Sequence, residues 1–310
     1  MVIYNKIINY KKNIKMRKTI IFTGFLIFLN LNLWSQQQGL LSQFRQQMSV
    51  FNPAAVSLDS TSSLSLLHRR QWTNTPMSPV SMSFTYGFSS GKNTGLGVSI
   101  TTDKVFIENS TFVSLDYSYR LKLNEISTLY LGLKAGGNFY SINTSNLETF
   151  NPSFTDPSLN SMSRFIPNIG IGAYYKRKSL FISIGIPRLI SSEKVRASDG
   201  SISTVRDQPH LYTSIGYDFS INLFEDIRLR PSILSRYVVG APMSIDFNTM
   251  VRFKDSFELG ATYRPEGNYA GIIQFDISKT LKFGWTYEVN TLPELSAVGS
   301  SLEFSLLYQY

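Results

Sequence analysis

The sequence has 310 residues, of which 16% are charged and 14% aromatic, with a mean hydropathy of −0.05 and no cysteine. It has no interior run of about 20 apolar residues, which excludes a polytopic helical membrane protein. The aromatic content argues against a disordered chain; the lack of cysteine excludes a disulfide framework, a thiolate metal site and a Cys nucleophile. The net charge is +9, but Lys6, Lys11, Lys12, Lys15, Arg17 and Lys18 precede residue 36 with no acid among them, which leaves +3 for the rest and gives no sign of nucleic-acid binding.

Met16-Arg17-Lys18 precedes an uncharged apolar run from Thr19 to Leu33, followed by Trp34-Ser35-Gln36. A basic start, an apolar stretch of this length and a small residue at the cut describe a secretory signal peptide. Cleavage is expected after Ser35, so residues 1–35 are read as an address and the mature protein as one that leaves the cytoplasm.

In the next segment, 36–59, Leu40, Leu41, Phe44, Met48 and Phe51 recur near helical spacing, and Asn52-Pro53 would end a short helix. The segment is too short to be a domain. It is expected in the periplasmic mouth of the structure that follows, or inside it as a plug.

From residue 60 to 310 the period changes to two. Val80-Ser81-Met82-Ser83-Phe84-Thr85-Tyr86, Leu96 to Ile100 and Val113 to Leu121 alternate apolar with small or polar residues. The same pattern recurs at 63–70, 128–140, 168–175, 179–186, 210–219, 227–237, 243–253, 257–263, 268–277, 281–287 and 301–310, about fourteen strands in all. Successive strand side chains point to opposite faces. One face is Leu, Ile, Val, Phe, Tyr and Trp; the other is Ser, Gly, Thr and Asn with isolated charges. A secreted soluble sandwich would carry many outward charges. Few charges, many tyrosines at strand ends and secretion together predict an all-β fold, a transmembrane antiparallel barrel of the bacterial outer membrane.

The connections support this. Short ones fall at 89–93, 124–125, 176–178, 222–226, 254–256 and 278–280, and mostly longer ones at 71–79, 102–110, 141–167, 187–208, 238–242, 264–268 and 288–300. Short periplasmic turns and longer extracellular loops are usual in such barrels. The last strand places Leu302, Phe304, Leu306, Tyr308 and Tyr310 on one face and is expected to close the sheet against the first.

The alternation places Asp116, Arg120, Lys134, Asp246, Asn248, Arg252, Gln274 and Asp276 inward. Both signs are present, so they form no single-sign selectivity ring. They read as a polar network that holds a plug or a partner segment, or as ordinary solvation of a wet interior. Chemistry is scarce. His68 and His210 have no specific nucleophile partner, Asp156 with Asn151 and Asn160 reads as a polar loop, and no metal-ligand spacing occurs. No catalytic residue, cofactor site or metal site is expected, and the protein is expected not to be an enzyme.

Several segments together resemble one family. Gln43-Phe44 with Phe51-Asn52-Pro53-Ala54-Ala55 is similar to the opening of the PorP/SprF-like outer-membrane proteins of the Bacteroidetes type IX secretion and gliding systems. His68-Arg69-Arg70-Gln71-Trp72 with Pro76, Gly95 to Ile100 with Asp103-Lys104, Ser118 to Leu121 and Pro167 to Gly172 follow in that family's order; Pro187-Arg188-Leu189 departs mildly from it. The resemblance spans about 38 to 310 and implies a non-enzymatic barrel acting with type IX translocon components. It implies binding, anchoring or export of a secreted surface protein, such as a large gliding adhesin through its C-terminal domain. Some members are linked to a periplasmic peptidoglycan-binding protein. A porin or small-solute transporter is the competing expectation. Within Arg69-Arg70-Gln71-Trp72, two roles are open: recognition of a partner, or an internal lock in which Arg70 pairs with a lumen acid and Trp72 joins the aromatic girdle.

Overall fold

The computed structural model describes residues 41–58, 61–91, 93–144, 162–198, 201–222, 226–293 and 297–310. The expected signal peptide and the tip of the 141–167 loop, with Asn151, Asp156 and Asn160, lie outside the described residues. Among those described, no helix is long and apolar enough to cross a membrane.

The strands are β1 (Ser63–Arg70), β2 (Val80–Ser89), β3 (Thr94–Val105), β4 (Glu108–Lys122), β5 (Ser127–Ile142), β6 (Met162–Arg177), β7 (Leu180–Ile186), β8 (Ser192–Ser198), β9 (Ser201–Asp207), β10 (His210–Tyr217), β11 (Phe219–Asn222), β12 (Ile227–Val238), β13 (Ser244–Phe253), β14 (Phe257–Arg264), β15 (Asn268–Asp276), β16 (Leu281–Asn290) and β17 (Ser301–Gln309). Each pairs antiparallel with its neighbour. The sheet closes where β17 pairs β1 from Ser63↔Gln309 to Arg70↔Leu302, and where β10 pairs β12. With β10 and β11 forming one interrupted strand, the barrel has fourteen strands, as the period-two segments predict.

The outward face carries an apolar band: Leu115, Leu133, Ile171, Ile184 and Phe247 are exposed. Tyrosines mark its two rims. Tyr86, Tyr119, Tyr217 and Tyr308 stand near the short-turn ends of their strands, and Tyr237, Tyr263, Tyr269 and Tyr287 near the opposite ends. An apolar band between aromatic girdles suits a lipid bilayer. Tyr86 and Tyr310 share a hydrogen bond of 2.8 Å between their hydroxyls beside the closing seam. The chain terminus thus lies at the short-turn end, the periplasmic end in such barrels.

Two connections differ from expectation. The predicted loop 102–110 is a tight turn: β3 runs to Val105, β4 starts at Glu108, and Phe106 takes φ 55° between them. Thr101-Thr102-Asp103-Lys104 carry no apolar alternation, yet they extend the strand pair beyond the apolar band, where both faces can be polar. The predicted loop 187–208 contains an antiparallel hairpin, β8 with β9, outside the barrel sheet.

Residues 41–58 lie inside the barrel. They form a chain of tight turns, with Gln46 N–H donating to Gln43 O and Gln47 N–H to Phe44 O, then one helical turn, α1 (Met48–Phe51), then a 3₁₀ turn, Pro53–Ala55. The expected helix is therefore only one turn long. The backbone N–H groups of Ser42 and Gln43 donate to Glu303 of the wall, which fixes the segment's start in a non-helical form.

Candidate functional site

The lumenal segment is amphipathic, and the wall matches it. Leu41, Phe44, Met48, Phe51 and Ala54 cluster with Tyr130, Tyr174, Phe181, Tyr212 and Leu234 from β5, β6, β7, β10 and β12. The spacing of those apolar residues, read from the sequence as helical, instead marks the face turned toward an aromatic wall. Phe51 packs on Tyr212 with ring centroids 4.9 Å apart. The polar residues Ser42, Gln43 and Gln47 face the opposite wall.

That wall holds the first charge cluster. Arg69 of β1 donates to Glu288 of β16 at 2.8 Å and lies 3.4 Å from Glu303 of β17. Arg264 of β14 makes a two-point contact with Asp246 of β13, at 2.6 and 2.8 Å, and lies 3.5 Å from Glu288. The segment docks on these acids: Ser42 N–H and Gln43 N–H donate to Glu303 at 3.1 and 2.9 Å, and the Ser42 hydroxyl donates to Glu288 at 3.5 Å. Gln43 Oε1 accepts from Ser305 at 2.6 Å and from Gln274 at 3.2 Å. Gln47 bonds Ser65 and Ser83.

A second contact region holds the far end of the segment. Asn52 Nδ2 donates to Ala173 O and to Ser183 Oγ, both at 2.8 Å, while its Oδ1 accepts from Ala54 N–H at 2.9 Å. Pro53 stands at the first position of the 3₁₀ turn, where no N–H is needed. The Phe51-Asn52-Pro53 motif is thus an aromatic anchor, a polar anchor and a turn starter in succession. Gly132 and Gly172 of the wall make room for it; a Cβ on Gly132 would overlap Ala54, and one on Gly172 would overlap Asn52.

Mid-lumen, Asp116 of β4 pairs with Lys134 of β5 at 2.9 Å and accepts from Ser99, and Lys134 also reaches Ser49 O at 3.4 Å. Toward the short-turn end stands the second charge cluster. Glu258 accepts from Arg230 at 2.7 Å, Arg252 at 2.8 Å and Lys282 at 2.9 Å; Asp276 pairs with Arg252 at 3.2 Å and lies 3.5 Å from Lys282. Asp218 joins Arg230 to Arg45 of the lumenal segment, the latter at 2.7 Å.

Most of the sequence-derived inward residues are therefore distributed among three sites. Asp116 with Lys134, Asp246 with Arg264, and Arg252 with Asp276 lie in separate ion pairs, Gln274 bonds the lumenal segment, and Arg120 lies on the inward face of β4. Arg69, Arg230, Glu258, Arg264, Lys282, Glu288 and Glu303 were not among them. Strand parity marks all of these: Glu303 sits between outward Leu302 and Phe304, and Glu288 between Tyr287 and Val289.

The 69–72 segment requires a correction. The internal pairing expected of Arg70 is made by Arg69, which is only 2% exposed. Leu67 and Arg69 share the inward parity of β1, so Arg70 points outward and donates to Ser78 at 3.2 Å. Gln71 N–H donates to Pro79 O, and Trp72 is half-buried with φ 57°. Among the described residues no group of His, Asp and Glu stands within reach of a common metal ion.

A family model described as Type IX secretion system membrane protein PorP/SprF matches residues 34–308. No curated protein matches the chain. The fold is similar to that of the CymD monoaromatic hydrocarbon channel, with a TM-score of 0.51 at 11% identity over 88% of this chain and 93% of that one. A Pseudomonas aeruginosa FadL homologue gives a TM-score of 0.47 at 12% identity over 84% and 93% of the two chains. The Acinetobacter baumannii outer membrane protein Omp33 gives 0.47 at 9% identity over 82% and 100%.

Proposed function

The chain belongs to the PorP/SprF family of type IX secretion system membrane proteins, and from that premise we propose that it is a non-enzymatic outer-membrane barrel that works through protein partners. In this reading it binds and anchors a secreted surface protein, such as a large adhesin, or supports its export together with translocon components. The observation that carries the proposal is the filled lumen. Residues 41–58 are bonded to strands on opposite sides of the wall, and each end of the segment has its own anchor: Glu303 and Glu288 at one, Ala173 and Ser183 at the other. A diffusion porin needs an open lumen. A barrel that spends its inward polar groups on holding its own segment is suited to act as a scaffold, leaving loops and mouths for recognition.

The experiment is a mild-detergent pull-down of the tagged full chain with mass spectrometry. Recovery of a secreted surface protein together with type IX components supports the proposal. Recovery of the barrel alone, with ion conductance in a planar bilayer, contradicts it and favours the porin reading.

A further inference from the structure

Below the lumenal segment, at the short-turn end, a cavity of about 370 Å³ is lined by Arg45, Lys176, Lys178, Arg228 and Arg230, with Asp218 among them. Its floor is aromatic: Phe181 lies flat against Tyr174, with centroids 5.7 Å apart, and the Arg45 guanidinium stands 4.9 Å above the Phe181 ring. Asp218 is shared by two of the cations, Arg45 and Arg230. Arg228 pairs at 3.0 Å with Asp226 at the rim, where both are nearly half exposed. Among the described residues the five cations of the lining outnumber the acids paired with them, Asp218, Asp226 and Glu258.

Arg45 is mostly buried in this lining, and Asp218 stands between it and Arg230. A cleft lined by one sign of charge, with low-dielectric walls, concentrates ions of the opposite sign.

We propose that this vestibule is a docking site for an acidic peptide segment, rich in Asp and Glu, of a protein that approaches the barrel from the periplasm. Charge complementarity selects the occupant. The cations run from the exposed rim, Lys178 and Arg228, to the floor, Arg45 and Arg230, so a single small anion meets only some of them. A chain of carboxylates meets them in turn, and guanidinium groups take carboxylates two points at a time. The lumenal segment above the cavity ends the path, which suits a docked segment better than a passing solute. The inference rests on the proposed partner-binding role and supplies the chemistry of one partner.

The test uses the full chain in detergent micelles and a fluorescent hexaglutamate peptide, read by anisotropy. Saturable binding is expected, weakening as salt rises from ~10 mM to ~0.15 M. Lys178→Glu with Arg228→Glu should weaken it roughly tenfold or more; Lys178→Gln with Arg228→Gln should weaken it less, and Lys104→Glu, at the far end of the barrel, should leave it unchanged. Heat-modifiability on gels checks that each variant keeps its barrel. Absence of saturable binding, equal binding by the double variants, or full displacement by millimolar inorganic phosphate would each overturn the proposal, the last by making the site one for small anions. A surface protein still recovered in the pull-down while the peptide fails to bind would overturn this site alone and leave the wider role standing.

Discussion

Arg69 Nη2 of β1 donates to Glu288 Oε1 of β16 at 2.8 Å, across the strand that closes the barrel and between residues 219 apart in sequence. The same guanidinium lies beside Glu303 on that closing strand, directly opposite Arg69 in the β1–β17 register. One buried cation thus ties together the first strand, the last strand and the one before it, and its two acids hold Ser42 and Gln43 of the lumenal segment. Removing it leaves two carboxylates buried with less compensation. Arg69→Ala should cost about 3–5 kcal/mol of barrel stability. Arg70→Ala, on the outward side, should stay within about 0.5 kcal/mol. Chemical unfolding in detergent, followed by tryptophan fluorescence, makes the comparison; equal effects would refute the assignment of the lock to Arg69.

Asn52 satisfies a backbone carbonyl of β6, a serine of β7 and the start of the 3₁₀ turn. Asn52→Ala removes all three and leaves buried partners unpaired, at about 1–3 kcal/mol for the docked segment. Hydrogen exchange should rise in residues 41–58 and stay unchanged in the strands. Faster exchange throughout the barrel would mean that Asn52 supports the wall as much as the segment.

Gly132→Leu places a side chain where Ala54 now sits. The lumenal segment should be displaced, and its exchange should rise as in Asn52→Ala. Gly271→Leu, at an outward glycine with nothing near its Cβ position, should be silent in the same assay. Similar behaviour of the two variants would contradict the packing described.

Leu115 is 67% exposed on the outward face, midway along β4. Arg there should cost about 2–4 kcal/mol if it lies near the bilayer midplane. Arg at Asn109, on the same outward face where β4 extends past the apolar band, should cost about 1 kcal/mol or less. Folding titrations into lipid vesicles would read both; equal costs would place the membrane band elsewhere on the barrel.

Much of this was legible because one physical constraint, lipid outside and polar lumen inside, writes itself into every second residue. Val113 to Leu121 shows its face, its approximate length and its neighbours without any structure. The β3–β4 turn was not legible because Thr101 to Lys104 lie where both sides are polar, and alternation carries no signal there. The identity of the lock was missed for a different reason: Arg69 and Arg70 are adjacent, and parity has to be counted from Ser65 and Leu67 to choose between them. The shape of residues 41–58 depends on acids such as Glu303, some 260 residues away, which no local pattern contains.

The central claim, that the lumen is held shut by residues 41–58 and the barrel acts as a scaffold, is tested most directly by single-channel recording in planar bilayers. The wild-type protein should show no sustained conductance, and a variant lacking residues 41–58 should open steady ion-conducting steps. Stable porin-like steps from the wild-type protein, unchanged by that deletion, would contradict the account.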